Sequence, residues 1–368
     1  MHPDGRPAHF SCRPSEAKPS AEQEKEVQAA LCLWLKTYRY PFVANQPYRV
    51  MVYARTSPES EPPAHKQNLI TTLEQLRQTS RPDTVKRITL VLEELTEVPE
   101  ELYRFTNVEV VSLAGNKLTQ IPEALFALPR LKRLDLTGNR LTENSFTIPP
   151  GSGLTFLNLQ YNQLTRVPAS VANCRHLTSL WLGHNKLVEV NTDVLRKLKR
   201  LEDLNLYSAG LNQLPAGIGK LKRLQILDLY YNNLRELPAA ICRLRRLQQL
   251  AVSENKLGNL PKKLHRMRRL EKIYAHHNFL ASLPERLHRS RRLQLLDIGY
   301  NAFRHVPAVV SRIKTLHELD MGHNRLTELP ASLANLPNLE KCYVRGNPLP
   351  AELPVVRKLE ARKTEVFH

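Results

Sequence analysis

Residues 224–246 read LQILDLYYNNLRELPAAICRLRR, and this 23-residue unit decides the fold. The apolar residues Leu227 and Leu229 alternate with Asp228, which is the period of a short β-strand. Pro238 has a fixed φ and no amide hydrogen, so it suits the first turn of a short helix. Each unit is therefore predicted to contain one strand and a short helical return.

The same pattern returns every 23 residues to the end of the chain, with one interval of 24 between Leu177 and Leu201. Because every strand is followed by a return segment and a strand of the same direction, we expect one parallel sheet with right-handed connections. At about 4.8 Å per strand, twelve strands give a curved concave sheet on the order of 55 Å long. The expected fold class is α/β, a right-handed solenoid or horseshoe with short helical turns on its convex side. The first positions of repeats one to twelve are Val85, Val108, Leu131, Leu154, Leu177, Leu201, Leu224, Leu247, Leu270, Leu293, Leu316 and Leu339.

Asparagine occupies the ninth position of most units. An inward-facing amide has donors and an acceptor for the backbone groups left unpaired where the chain leaves the strand, so these residues are predicted to form a structural ladder. The ladder residues are Asn116, Asn139, Asn162, Asn185, Asn232, Asn255, Asn278, Asn301, Asn324 and Asn347.

The unit LxxLxLxxNxLxxLPxxLxxL resembles the intracellular, Ras-group class of leucine-rich repeat proteins. The resemblance covers about 260 of the 368 residues. It implies a repeat horseshoe, and it implies a role as a scaffold in signalling by way of a GTPase or kinase complex. The shared positions are those of the core, so the resemblance says little about the partner.

Three neighbouring repeats depart from the pattern. The third has residues 149–153, PPGSG, in place of the proline turn, which predicts an irregular loop. The fifth has Asn191 where proline is expected, and the sixth has Ala209 at the ladder position. We expect the curvature of the solenoid to change here.

The flanks divide the chain into four regions: a disordered tail over 1–20, an N-terminal cap over 21–84, the solenoid over 85–346 and a C-terminal cap over 347–368. The apolar spacing predicts a helix over 21–38, and the alternation over 48–53 predicts a strand. Leu69, Leu73 and Leu76 form the apolar stripe of a second predicted helix. The plain interpretation is a small α/β cap that covers the first repeat. The alternative is a separate binding module.

The cysteine content and the first twenty residues indicate the cellular compartment. The chain has a net charge of +19, and its five cysteines show no clustered spacing of the kind that caps secreted solenoids. The first twenty residues contain no apolar run of signal-peptide length. These features predict a cytoplasmic protein. The cysteines are Cys12, Cys32, Cys174, Cys242 and Cys342.

Catalytic motifs give no support for an enzyme. The sequence has no Gly-rich phosphate loop, zinc-type CxxC pair, HExxH or GxSxG motif. His184, His277 and His323 share the eighth position, but two to four strands separate neighbouring members, which is too far for common ligation of one metal ion. The sequence therefore predicts no cofactor and no metal site.

The outward positions of the strands combine carboxylates with large aromatic side chains. Exposed aromatics on a rigid sheet are typical of binding hot spots. We therefore expect a protein partner here, with a basic or aromatic-seeking segment. The predicted partner-binding residues are Phe156, Tyr161, Trp181, Asp203, Tyr207, Asp228, Tyr230, Tyr231, Tyr274, Asp297 and Tyr300.

Positive charge falls just before the strands and is expected to form a basic edge. This edge is either a solvated surface or a site for the phosphates of nucleic acid or an anionic membrane, or for an acidic protein. The absence of aromatic residues along it argues against nucleic acid. Its residues are Lys199, Arg200, Lys222, Arg223, Arg245, Arg246, Arg268, Arg269, Arg291 and Arg292.

Overall fold

The computed structural model describes residues 68–368. By its internal contacts, the stretch Gln67–His368 forms one compact unit. The tail over 1–20, the helix predicted over 21–38 and the strand predicted over 48–53 lie outside the described residues.

The described residues form one parallel sheet of 14 strands whose order follows the chain. Each strand pairs with the next through residues in equivalent positions, as Ile226, Leu227 and Asp228 do with Gln249, Leu250 and Ala251. The strands are β1 (Leu69–Ile70), β2 (Arg87–Thr89), β3 (Val110–Ser112), β4 (Arg133–Asp135), β5 (Phe156–Asn158), β6 (Ser179–Trp181), β7 (Asp203–Asn205), β8 (Ile226–Asp228), β9 (Gln249–Ala251), β10 (Lys272–Tyr274), β11 (Leu295–Asp297), β12 (Glu318–Asp320), β13 (Lys341–Tyr343) and β14 (Glu365–Phe367).

Short helices return the chain from one strand to the next. The 3₁₀ helices are Pro82–Thr84, Glu100–Arg104, Ala169–Asn173, Ala216–Lys220, Ala239–Arg243, Leu264–Arg266, Glu285–Arg289, Val310–Arg312 and Ala331–Asn335. The α-helices are Leu73–Gln78, Glu123–Phe126, Thr192–Leu195 and Pro354–Glu360. Within residues 68–368, no helix has the length and apolar character needed to cross a membrane.

The repeat departures have local structural consequences. No helix lies between β4 and β5, which confirms the irregular loop predicted for the third repeat. Asn191 replaces proline as a helix cap, and its side chain accepts from the amides of Asp193 and Val194. Where Ala209 interrupts the asparagine ladder, its own carbonyl accepts the amide of Leu187 at 2.8 Å. A backbone hydrogen bond thus replaces the missing side-chain acceptor.

The inward leucines and the asparagine ladder form the interior. Asn255 shows the ladder geometry: its amide nitrogen donates to the carbonyls of Leu229, Val252 and Ser253, and its oxygen accepts from Leu234 N at 2.9 Å. The two N–H groups of the amide are shared among three carbonyls, and its oxygen accepts one bond, so the side chain links two repeats. This is the bonding that the predicted structural role of these asparagines requires.

Both ends of the sheet extend further than the predicted twelve strands. Leu69 lies in β1 and not in the predicted helix, which begins at Leu73. At the other end, the region predicted as a C-terminal cap contains the helix Pro354–Glu360, in which Val355, Val356 and Leu359 are buried. The strand β14 after this helix was not predicted, because the repeat pattern stops before it.

Candidate functional site

The eighth position of the repeat has an unusual backbone conformation. All twelve residues there have positive φ, and nine of them are not glycine. This left-handed region favours glycine, and a bulky residue held in it costs on the order of 1–3 kcal/mol. Glycine occupies the position only at Gly115, Gly138 and Gly346. The other nine are Leu92, Tyr161, His184, Ser208, Tyr231, Glu254, His277, Tyr300 and His323.

Aromatic rings from this position and the one before it form a continuous series across eight repeats, which we call the aromatic ladder. Its contacting pairs have ring centroids 3.9 to 5.6 Å apart along the main path. Tyr231 joins the path beside Tyr230, at 6.0 Å. The ladder consists of Tyr161, His184, Tyr207, Tyr230, Tyr231, His276, His277, Tyr300 and His323.

The rings stack in parallel at both ends of the ladder. At the first end Tyr161 and His184 stack at 4.0 Å. At the other end His277 and Tyr300 stack at 3.9 Å, and Tyr300 and His323 stack at 4.1 Å. Such pairs contribute about 0.5–1.5 kcal/mol each. Beyond His323 the series ends at Gly346, where an added Cβ would overlap the histidine ring. The glycine therefore lets the last ring lie flat on the backbone.

Five of the predicted partner-binding residues lie in the ladder, and the others lie elsewhere. Tyr161, Tyr207, Tyr230, Tyr231 and Tyr300 are ladder members. The three histidines at position eight and the neighbouring His276 complete it. The shared eighth position of the three histidines is visible in the sequence, but the repeat pattern does not show that their rings stack with the tyrosines.

Phe156 corrects the prediction of an exposed aromatic. It is buried, with 9% of its surface exposed. The ring of Trp181 packs edge-on against it at 4.9 Å, and the guanidinium of Arg133 covers it at 4.2 Å. Trp181 is half-buried and its indole nitrogen donates to Asp203 at 3.0 Å. Trp181 and Asp203 thus form a fixed pair on the outer side of β6 and β7, with Phe156 beneath it.

The fifth-position carboxylates support the backbone as well as giving the surface its charge. Asp228 accepts from the amide of Tyr230 and from the side chain of Asn205, both at 3.0 Å. Asp297 accepts from the amide of Gly299 at 3.3 Å. These bonds hold the turn that carries the ladder rings. Tyr274, also at the fifth position, is half-buried at the end of β10.

A polar cluster joins the two stacked ends of the ladder. Nδ1 of His276 lies 2.5 Å from Asp297 and 3.0 Å from the Ser253 hydroxyl. Both contacts use the same ring nitrogen. In a Ser-His-Asp triad the serine and the aspartate bind opposite nitrogens of the ring, so this cluster does not have the geometry of a triad. No group of three histidine, cysteine or carboxylate side chains within residues 68–368 is placed to hold a metal ion.

Burial separates the protonation behaviour of the ladder histidines. It lowers the pKa of His184 to about 4, and together with the charge of His276 it lowers the pKa of His277 to about 4. Burial also acts to lower the pKa of His276, but the hydrogen bond and charge of Asp297 outweigh it and raise the pKa. At pH 7 His184 and His277 are therefore neutral stacking rings, whereas Asp297 shifts the pKa of His276 in the opposite direction.

Carboxylates next to the ladder bind protons more readily than usual. Burial, followed by the charge of Asp297, raises the pKa of Asp320 to about 6. Burial also raises the pKa of Glu254. Burial and surrounding carboxylates, Glu254 first, raise the pKa of Tyr230, so its phenol stays protonated at neutral pH. The surface thus places acidic groups and phenols beside flat neutral rings.

The predicted basic edge is exposed along its whole length. Each of its ten residues, from Lys199 to Arg292, is solvent-exposed. The edge lies in the turns that precede β7 to β11, so it is separate from the aromatic ladder, which follows the strands.

Family models place most of the described chain in known repeat families. A model described as "Leucine rich repeat" matches residues 83–141 and 291–349, and one described as "Leucine-rich repeat region" matches residues 168–283. No curated protein matches the sequence.

Solved structures share the fold. An internalin (inlF) from Listeria monocytogenes is 19% identical with a TM-score of 0.66, and the match covers 80% of this chain and 92% of that one. The plant peptide hormone receptor RGFR1, solved in complex with RGF2, is 28% identical with a TM-score of 0.62. That match covers 77% of this chain and 47% of the receptor, so this chain spans about half of the receptor's length. The repeat sequence, the 14-stranded parallel sheet and the matching models agree that this chain is a leucine-rich repeat protein.

Proposed function

We propose that this protein is a non-enzymatic scaffold that binds a segment of a partner protein along the aromatic ladder on the concave face. One observation carries the proposal: bulky rings occupy left-handed backbone positions where glycine is locally favoured. Backbone strain kept at several consecutive repeats is typical of functional surfaces. Glycine at position eight would avoid this backbone strain, so the rings are kept there against a local backbone cost.

The ladder has the physical properties of a binding hot spot. Its rings are attached to a hydrogen-bonded sheet, so they lose little conformational freedom when a partner covers them. Most are half-buried, and Tyr300 keeps 41% of its surface exposed. Large aromatics buried centrally in an interface contribute about 2 kcal/mol or more each.

The surrounding charge favours a basic partner segment. Asp203, Asp228, Glu254 and Asp297 lie on the same face as the rings. Carboxylates at an interface set the sign of the partner and speed its approach. A segment with lysine or arginine between aromatic or aliphatic residues fits this pattern.

The comparison with the plant receptor supports a protein ligand of this kind. RGFR1 is a peptide hormone receptor, and its structure holds RGF2. At 28% identity it shares the repeat architecture on which this chain presents its rings. By analogy we infer that the sheet surface carrying the rings binds a peptide segment here.

We further propose that the protein acts inside the cell, in signalling of the kind implied by its resemblance to the Ras-group class. Support comes from Cys174, Cys242 and Cys342, which are buried free thiols among the described residues. Burial raises the pKa of Cys174 and Cys342 to about 12. Such thiols are unreactive and persist in a reducing compartment.

Selection from a displayed peptide library tests the binding proposal. The wild-type chain should enrich basic peptides, and Tyr230→Ala with Tyr231→Ala should weaken their binding by about tenfold or more. Phe279→Ala is the matched control, because it removes an aromatic ring that is 65% exposed and outside the ladder. Equal binding by the double variant, or hydrogen-exchange protection confined to the convex helices, would contradict the proposal.

A further inference from the structure

A cationic groove lies on the convex side of the solenoid. It spans repeats six to eight, on the opposite side from the centre of the aromatic ladder. Its volume is about 680 Å³, and it follows the helices Ala239–Arg243 and Leu264–Arg266. Six of its lining side chains are cationic, and no lining residue is aromatic or acidic. The six cations are Lys222, Arg243, Arg245, Arg246, Lys263 and Arg266.

The charges of this groove have no counterions within the described part of the chain. None of the six forms an ion pair with a carboxylate of residues 68–368, although other surface cations do. The Lys222 ammonium donates to the carbonyl of Gly219 at 2.7 Å. Burial and then the charges of Arg243 and Arg245 lower the pKa of Lys222. Like charges are therefore crowded here at some cost in free energy.

The surrounding sequence reinforces this imbalance. Residues 216–292 contain 18 Lys and Arg but 5 Asp and Glu. Three of the five, Asp228, Glu254 and Glu271, belong to the concave face or its margin. The convex side of these repeats thus carries much of the chain's excess of +19.

We propose that this groove binds a compact ligand bearing several phosphate groups. Four guanidinium groups offer paired N–H donors that match phosphate oxygens, and the two lysines add point charges. A groove volume of 680 Å³ lies within the range of sites that take one small molecule. The lining offers no ring on which a nucleobase could stack, which disfavours single-stranded nucleic acid.

Titration calorimetry with inositol hexakisphosphate as the probe, at about 150 mM salt where loose surface pairing is screened, tests the site. We expect saturable binding of one molecule per chain and a rise in melting temperature with ligand concentration. Arg243→Glu with Arg266→Glu should weaken binding by about tenfold or more, because each reversal replaces an attraction with a repulsion.

The control must change the net charge equally. Arg130→Glu with Arg175→Glu does so at two exposed arginines outside the groove, and it should change affinity by no more than about threefold. The milder pair Arg243→Gln and Arg266→Gln should give an intermediate loss. It keeps the test valid if the charge reversals disturb folding.

Two sources of such a ligand are separated by vesicles. Binding to vesicles containing a triphosphorylated phosphoinositide, reversed by the soluble probe and lost in the groove variant, assigns the groove to a lipid headgroup. Binding of the soluble probe without vesicle binding assigns it to a free ligand.

Three results would overturn the proposal. They are the absence of saturable binding, an equal loss in the Arg130/Arg175 control, and tighter binding of single-stranded RNA that increases with RNA length. Because these variants leave the aromatic ladder intact, failure here leaves the proposed protein-binding function standing.

Discussion

In repeats six to eight, the concave and convex sides of the same solenoid carry opposite charge. The concave side presents Tyr207, Tyr230 and Tyr231 among carboxylates, while the convex side presents a groove of six cations without ion pairs in the described chain. Both sides derive from the same repeat unit, and they differ in which positions carry the charge. A net charge of +19 therefore says nothing about the sign of the surface that a partner meets.

This sorting is possible because the frame needs few residues. The inward leucines and the asparagine at position nine define the fold, and the positions around them vary without disturbing it. Local strain at position eight and charge crowding around Lys222 are two places where surface residues oppose stability. Variants can show whether each is tied to binding.

The largest expected effect comes from the shared frame. Asn255→Ala removes three donated bonds and one accepted bond, leaving buried backbone groups unpaired. We expect a loss of about 1–3 kcal/mol in the free energy of unfolding. Denaturant unfolding measures this loss directly.

Gln163→Ala is the matched control, since it truncates an exposed amide next to the ladder position of repeat four. It should change stability by less than about 0.5 kcal/mol. Equal losses in the two variants would show that the buried amide has no special role in the frame.

Acid should weaken the concave side through His184. Its folded-state pKa is about 4, whereas an unfolded histidine titrates near 6.5. Between these values the unfolded chain binds a proton that the folded chain does not, so stability is complete above pH 6.5 and falls as the pH is lowered towards 4. The loss specific to His184 between pH 7.5 and pH 5 should be about 1–2 kcal/mol.

His184→Tyr isolates this contribution, because tyrosine occupies the same position in Tyr161 and Tyr231 with the same backbone conformation. Urea unfolding at the two pH values should show a smaller acid loss in the variant than in the wild type. An identical pH dependence would mean that His184 is protonated as readily in the folded chain as in the unfolded one.

The sequence predicted the strands and the interior of the solenoid better than the arrangement of its surface side chains. Periodicity located the strands and the asparagine ladder because every repeat obeys the same packing constraint. It did not predict the positive φ at position eight, since that position accepts glycine, histidine and tyrosine alike. Phe156 was placed outside because alternation shows direction but not the cover provided by Arg133 and Trp181.

The convex groove was missed for a related reason. Lys222, Arg245 and Arg246 were recognised as an edge, but Arg243, Lys263 and Arg266 come from other positions of the repeat. The six cations come together only because the helical segments of successive repeats pack against each other. A comparison of one repeat position at a time does not show this.

Replacing a ladder residue by glycine separates strain from function. Tyr231→Gly relieves the left-handed backbone but removes ring contacts with Tyr207 and Tyr230. These effects oppose each other, so the free energy of unfolding should stay within about 1 kcal/mol of the wild type. Affinity for the selected peptides should fall nonetheless. If calorimetry shows a large loss of stability in Tyr231→Gly, the aromatic ladder serves to stabilise the fold and not to bind a partner.

The smallest effect should come from charge on the concave margin. Glu271 precedes β10 on this face, and Glu271→Gln removes one charge while preserving the shape of the side chain. Carboxylates of this kind act on the approach of a basic partner more than on the final contact. The association rate of a selected peptide should therefore fall by about twofold at low salt, with little change near 150 mM. Glu285→Gln, in the convex helix Glu285–Arg289, is the equal-charge control and should leave the rate unchanged. Stopped-flow measurements at both salt concentrations distinguish the two faces, because a matching decrease in the control would mean that the peptide senses only the net charge of the chain.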